Sequence, residues 1–183
     1  MSRHPNRPYD LVVFGATSFV GKILTRYLLE TLSGDGSVSW AIAGRSKQKL
    51  EALKADLGDQ SLPVIEADAS HDDSLEALCE QTRVVISTVG PYALYGEPLI
   101  QACAESGTDY CDLAGEVQWI RRMISRYEVE AKKSGARIVH CCGFDSIPSD
   151  MGVWFLQSQA QEAFGEPCQH VRMRVKAAKG GLS

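Results

Sequence analysis

The segment Gly15-Ala16-Thr17-Ser18-Phe19-Val20-Gly21, directly after the apolar run Leu11-Val12-Val13-Phe14, restricts this chain more than any other. A glycine at a strand end permits a sharp turn, and a second one a helical step further on lets the helix pack close to that strand. Together they predict a strand, turn and helix whose exposed amides and dipole suit an anionic diphosphate. The middle glycine of the G-x-x-G-x-x-G pattern is replaced by Ser18, whose hydroxyl could itself bond a phosphate oxygen.

The rest of the chain repeats the unit. Short β-branched runs alternate with longer amphipathic stretches, the pattern of βαβ units and a parallel sheet. Strands are expected over Leu11 to Phe14, Val38 to Ala43, Leu62 to Ala67, Arg83 to Thr88, Asp109 to Asp112 and Arg137 to Cys141. Helices are expected over about 18–32, 46–56, 72–81, 97–107 and 117–134, with a Gly34-Asp35-Gly36 turn after the first. Ser46 caps the second helix, Pro98 suits a first turn and Gly107 a left-handed terminus. The predicted fold is α/β: a Rossmann, doubly wound, mainly parallel sheet with helices on both faces, spanning residues 8–143.

Past residue 143 the pattern changes. An amphipathic helix from Pro148 to about Ala163 and a half-buried strand from His170 to Ala177 are expected to begin a second, α+β substrate domain over 144–183. That strand has no visible partner, so the chain is expected to stop before most of this domain.

In a domain of this kind the residues after each strand meet the ligand. After the second strand an NAD-preferring chain presents an acid to the ribose hydroxyls. Here the chain reads Ala43-Gly44-Arg45-Ser46, and an arginine beside a capping hydroxyl suits a 2′-phosphate, which predicts NADP(H). Lys49 could assist, or simply be a solvated helix lysine. Asp68-Ala69 follows the third strand, where Asp68 either reads the adenine edge or caps the next helix. Thr88-Val89-Gly90-Pro91 follows the fourth, where the backbone should pass the nicotinamide side of the switch crevice.

Other classes fall away. A net charge of −4 removes the electrostatic footprint of nucleic-acid binding. No apolar run reaches the roughly 18 residues of a membrane span. The six cysteines form no C-x-x-C pair, and most lie in apolar segments, which indicates reduced thiols, a cytoplasmic setting and no metal site. A short-chain dehydrogenase needs Tyr-x-x-x-Lys, but Tyr127 is followed four residues on by Ala131. A homodimer, and peripheral membrane association of a longer protein, stay open.

The segments Gly15 to Gly21, Ala43 to Ser46, Ser87-Thr88-Val89-Gly90-Pro91-Tyr92, Asp109 to Glu116 and Gly143-Phe144-Asp145-Ser146-Ile147-Pro148-Ser149-Asp150 stand in an order and spacing that resembles the saccharopine dehydrogenase-like family, in its trans-acting enoyl reductase branch. The resemblance implies an NADPH-dependent oxidoreductase reducing a C=C bond of a small-molecule, acyl or lipid-like substrate, represented by a cofactor-binding part inactive alone. It also implies that Tyr92 and Asp145 look toward nicotinamide and substrate, with Tyr92 a candidate proton donor, and that Asp112 and Glu116 line the same cleft. Each has a plainer reading: Tyr92 as packing, Asp145 as a turn residue, Asp112 and Glu116 as caps of the helix near Val117. A saccharopine-type dehydrogenase and a non-catalytic dinucleotide sensor or scaffold are the competing functions.

Overall fold

A computed structural model describes residues 7–32 and 36–177. Gly34 and Asp35 of the expected turn lie outside the described residues, and Gly36 adopts φ +64°. The elements run β1 (Tyr9–Phe14), α1 (Phe19–Leu32), β2 (Trp40–Gly44), α2 (Lys47–Leu57), β3 (Val64–Glu66), α3 (Asp72–Cys79), β4 (Thr82–Ser87), α4 (Tyr92–Tyr95), α5 (Glu97–Ser106), β5 (Asp109–Asp112), α6 (Val117–Ser134), β6 (Ile138–Val139) and α7 (Ile147–Phe164).

All six strands pair in parallel in the order β3-β2-β1-β4-β5-β6. The chain therefore works outward from β1 to β3, then crosses back to lay β4 on the other side of β1. That reversal opens a crevice beyond the carboxyl ends of β1 and β4.

The period of two along each strand builds two cores. Val12, Phe14, Ala41, Ala43, Val85 and Tyr110 face one side, against Leu75 and Leu78 of α3, Leu99, Ile100 and Cys103 of α5, and Trp119 and Met123 of α6. The alternate residues Val13 and Ile42 face the other, against Leu50 and Leu53 of α2 and the partly buried Leu24 and Leu28 of α1. Strands buried on both faces read as unbroken apolar runs, which is why Val84-Val85-Ile86 carries no polar alternation.

Helix ends follow local chemistry. The Ser46 hydroxyl accepts from the Lys49 amide at 3.4 Å to open α2. Gly58, Gly107 and Gly135 close α2, α5 and α6 in left-handed conformations at φ +75°, +74° and +86°. Ahead of β1, the partly buried Arg7 guanidinium donates to the Thr82 and Ser106 carbonyls at 2.8 Å and to Thr108 Oγ1 at 2.7 Å, tying the chain's entry to β4 and to the end of α5.

The described chain divides between Cys142 and Gly143 into two compact units. The second contains α7, and two expectations for it need correction. α7 is not amphipathic: Val153, Trp154, Phe155 and Leu156 are consecutive, so helical geometry sends apolar side chains to every side. His170 to Ala177 forms no strand among the described residues. A strand needs a neighbour for its amides and carbonyls. The chain instead folds back on α7, where the Gln157 side chain donates to the Cys168 carbonyl at 3.0 Å and accepts from its amide at 2.6 Å. The expected sixth strand over Arg137 to Cys141 shortens to Ile138–Val139 because His140 and Cys141 turn inward to Asp112.

Candidate dinucleotide-binding site

The turn after β1 is fixed by close approach. Gly15 has φ +84°, and a Cβ there would lie 2.7 Å from Val89 Cγ2 and 2.8 Å from Thr88 Oγ1. A Cβ on Gly21 would lie 2.2 Å from the Gly15 carbonyl oxygen and 2.8 Å from Ala16 Cα. The first turn of α1 thus rests directly on the backbone of the bend, where no side chain fits.

Ser18 completes the bend. Its hydroxyl accepts from the Gly21 amide at 2.9 Å and lies 3.0 Å from Thr88 Oγ1, which in turn donates to the Gly15 carbonyl at 2.9 Å. Thr88 spends its single proton on a main-chain carbonyl, so the Ser18 proton goes to Thr88. The hydroxyl anticipated for a phosphate oxygen is therefore used inside the bend, locking β1 to β4 across the crevice. What the bend offers an anion is backbone: among the described residues the amides of Thr17, Phe19 and Val20 take no partner, at the amino end of a 14-residue helix.

Around this bend lies a cleft of about 360 Å³. It brings together Gly15, Thr17, Ser18, Arg45, Asp68, Ala69, Thr88, Val89 and Gly90 from the loops after β1, β2, β3 and β4. Ala16 and Gly21 are buried beside it. Val20 is half-buried, Phe19 largely exposed, the Ser46 hydroxyl accepts in the α2 cap and keeps its proton, and none of these three nor Pro91 is among the cleft's lining residues.

Arg45 is exposed at the tip of β2 and forms no ion pair among the described residues. Asp68 is largely satisfied locally. The Ser70 amide and hydroxyl donate to its Oδ1 at 3.0 and 2.8 Å and hold its carboxyl below the usual range, with His71 and Arg45 adding smaller attractions. Asp68 does not cap α3, whose N-cap position is His71; its carboxyl is held in a local turn at the cleft's edge. Gly90 is not crowded: the nearest atoms a Cβ there would meet belong to Tyr92, at 3.8–4.0 Å. The tight contact at this side is Gly96, whose Cβ would lie 2.6 Å from the Trp119 ring, a requirement with no local signal in the sequence.

Tyr92 requires correction as a residue facing the reacting end. Its side chain turns inward, donates to the Ser87 carbonyl at 2.9 Å, accepts from the Leu113 amide at 3.4 Å and packs against Trp119 with centroids 5.6 Å apart. Burial pushes this phenol well above its ordinary range, so it is held neutral and fully engaged. Asp112 likewise is buried, 1% exposed, and is not among the residues lining the cleft. Its Oδ2 accepts from the Tyr110 hydroxyl at 2.9 Å and His140 Nδ1 at 2.7 Å, and its Oδ1 from the Ala114 and Cys141 amides at 3.0 and 3.1 Å. Glu116 stands at the N-cap position of α6, where its carbonyl accepts from the Ile120 amide at 3.0 Å, while its carboxylate serves the start of α4, accepting from the Tyr92 and Ala93 amides at 2.7 and 2.8 Å. Asp145 occupies the exposed turn before α7, in the second unit.

These buried acids make the fold sensitive to base. Burial raises the Tyr92 and Tyr110 phenols, and burial with Cys142 and Asp112 nearby pushes the Cys111 thiol up to about 12. The unfolded chain releases a thiol proton near pH 8.5 and phenol protons near pH 10, whereas the native chain retains them. Native protein then holds more protons, so the stability these groups contribute is complete below about pH 8.5 and lost as pH rises, at about 1.4 kcal/mol per pH unit for each group past its unfolded value. Urea midpoints should fall steadily from about pH 8.5 and more steeply above about pH 10. A flat profile to about pH 11 would contradict the assignment.

Cys79 and Cys103 are buried thiols with sulfurs 3.6 Å apart. Among the described residues no group of His, Cys, Asp and Glu is arranged to hold a metal, and no helix is long and apolar enough to cross a membrane.

A family model described as the saccharopine dehydrogenase NADP binding domain matches residues 11–139. A Mycobacterium tuberculosis protein with the provisional name trans-acting enoyl reductase is 45% identical over 179 residues, covering 97% of this chain and 42% of the relative. The trans-acting enoyl reductase of Mycobacterium bovis is 44% identical over 165 residues, covering 88% of this chain and 39% of the relative. The chain thus spans about two fifths of these relatives' length. Among solved structures, the apo saccharopine dehydrogenase (L-Glu forming) of Saccharomyces cerevisiae superposes with a TM-score of 0.67 at 19% identity, over 85% of this chain and 32% of that one. A Citrobacter sp. triphenylmethane reductase complexed with NADP(H) superposes at 0.54 with 14% identity, over 83% of this chain and 56% of that one. These two likenesses concern the fold.

Proposed function

The chain belongs to the saccharopine dehydrogenase NADP binding domain family, and from that membership we propose that it is the cofactor-binding part of an NADPH-dependent reductase acting on the C=C bond of an acyl or lipid-like substrate. The observation that carries the cofactor is the pairing of a bend closed tightly at Gly15 and Gly21, with three amides at the start of α1 that take no partner among the described residues, and a guanidinium where β2 ends that forms no ion pair among them. The bend suits a diphosphate. Arg45 suits the additional 2′-phosphate, and no carboxylate stands at the end of β2 to prefer a plain ribose.

NADPH, when bound, supplies a hydride to the β-carbon of an activated double bond, and a proton must reach the α-carbon. The chain's own residues bind and orient. The Ser18–Thr88 lock keeps the bend open, Arg45 fixes the adenosine end, and Thr88 to Gly90 carry the backbone past the other end. The expected residues 8–143 form the cofactor domain in this reading, and 144–183 begin the substrate domain. Val153 to Leu156 give α7 apolar side chains on more than one face, which suits contact with further parts of a substrate domain. A reducing cytoplasm suits the unbridged pair Cys79 and Cys103.

The reading is tested on the full-length protein, incubated with NADPH and enoyl thioesters of several chain lengths. Loss of NADPH absorbance with formation of the saturated thioester is expected for at least one length. A full-length protein that binds NADPH tightly and saturates none of them is a sensor or acts on another bond.

A further inference from the structure

We infer that Tyr95 contacts the nicotinamide half of the bound dinucleotide, the position that sequence reasoning gave to Tyr92. The inference rests on the cofactor reading above and deepens it. α4 is a single turn, and its two tyrosines have opposite fates. Tyr92 is buried with both hydroxyl functions engaged, to the Ser87 carbonyl and the Leu113 amide. Tyr95 is 46% exposed, lines the cleft beside Thr88, Val89 and Gly90, and its hydroxyl makes no hydrogen bond among the described residues.

Its placement is fixed from behind. Glu116 accepts from the Tyr92 and Ala93 amides, while the Tyr95 amide donates to the Pro91 carbonyl at 3.2 Å and that of Gly96 to the Tyr92 carbonyl at 2.8 Å. The buried Tyr92 ring against Trp119 anchors the turn, and Gly96 lets it sit against the same indole. Tyr95 is therefore presented by a held backbone, which lowers the entropy lost when its ring meets a ligand.

Direction follows from strand order. Arg45 and Asp68 to Ser70 leave β2 and β3 on one side of β1, and Tyr95 follows β4 on the other. With the 2′-phosphate at Arg45 and the diphosphate over the start of α1, the remaining nucleoside extends past β4. The exposed aromatic ring that lines the cleft there is Tyr95.

The test uses the 183-residue chain and two probes, NADPH and 2′,5′-ADP, the latter carrying the adenosine end alone. Tyr95→Ala is expected to weaken NADPH about five- to tenfold and to leave 2′,5′-ADP within about twofold. Tyr95→Phe, which keeps the ring, should retain most of the NADPH affinity, and unchanged thermal melting of both variants shows that the fold is kept. A Tyr95→Ala variant whose affinities for both probes change equally, or not at all, overturns the inference while leaving the cofactor reading intact. A wild-type chain that binds neither probe overturns both. A variant that melts early is replaced by Tyr95→Ser, read by the same ratio.

Discussion

Gly21→Ala should abolish measurable NADPH binding and lower stability by about 3 kcal/mol, the upper range for an added methyl group with nowhere to go. The new Cβ would stand 2.2 Å from the Gly15 carbonyl oxygen and 2.8 Å from Ala16 Cα, both main-chain atoms that no rotamer change can move aside. Relief requires α1 to slide from β1, which also pulls Ser18 off the Gly21 amide and breaks the link to Thr88. Loss of binding and loss of stability thus share one cause. Gly115→Ala is the control: that glycine has open space around a Cβ and its φ is not positive, so its cost should stay within about 0.5 kcal/mol. Urea denaturation and NADPH titration on both variants decide it, and normal binding by Gly21→Ala would show that the bend does not hold the diphosphate.

The second large effect is structural and lies at the buried end of β5. Asp112→Ala strands four donors in the interior: the Tyr110 hydroxyl, His140 Nδ1, and the amides of Ala114 and Cys141. One lost acceptor of this kind costs about 4 kcal/mol when the partners stay buried, equivalent to a fall of about 8–16 °C in Tm for a chain of this size. Cys141 sharpens the case. It is the non-glycine residue with a left-handed φ, +62°, among those described, and the Asp112 carboxylate and carbonyl hold the amides of Cys141 and Cys142. Asp112→Asn keeps one acceptor oxygen, and His140 can present the opposite tautomer to the new amide, so about half the loss is expected. Differential scanning calorimetry ranks the three proteins. An alanine variant melting within about 3 °C of wild type would mean that the donors find other partners.

What the sequence disclosed, and what it hid, divides along the range of the interactions. The strands at Leu11 to Phe14 and Val84 to Ile86 were legible because burial on both faces writes itself as a continuous apolar run. Gly107 and Ser46 were legible because a helix end is settled by its nearest neighbours. Arg45 is legible for the same reason, standing one residue past a strand end. Tyr92 and Asp112 were misplaced because inward or outward depends on Ser87, Leu113, His140 and Trp119, distant in the chain and close in the fold. Tyr95 went unnoticed because α4 is one turn long, too short for any period to register. The alternation of Val171, Met173 and Val175 misled because alternation reports a face, and a strand also requires a neighbour.

The central claim, that this cleft takes a dinucleotide with its extra phosphate on Arg45, is tested most directly by calorimetric titration of the chain with NADPH and NADH. The wild-type chain should bind NADPH at least about tenfold more tightly, the value of one charge-assisted phosphate contact, and Arg45→Ala should reduce NADPH to the NADH affinity without altering the latter. NADH binding as tightly as NADPH to the wild-type chain, or an undiminished preference in Arg45→Ala, would contradict the account.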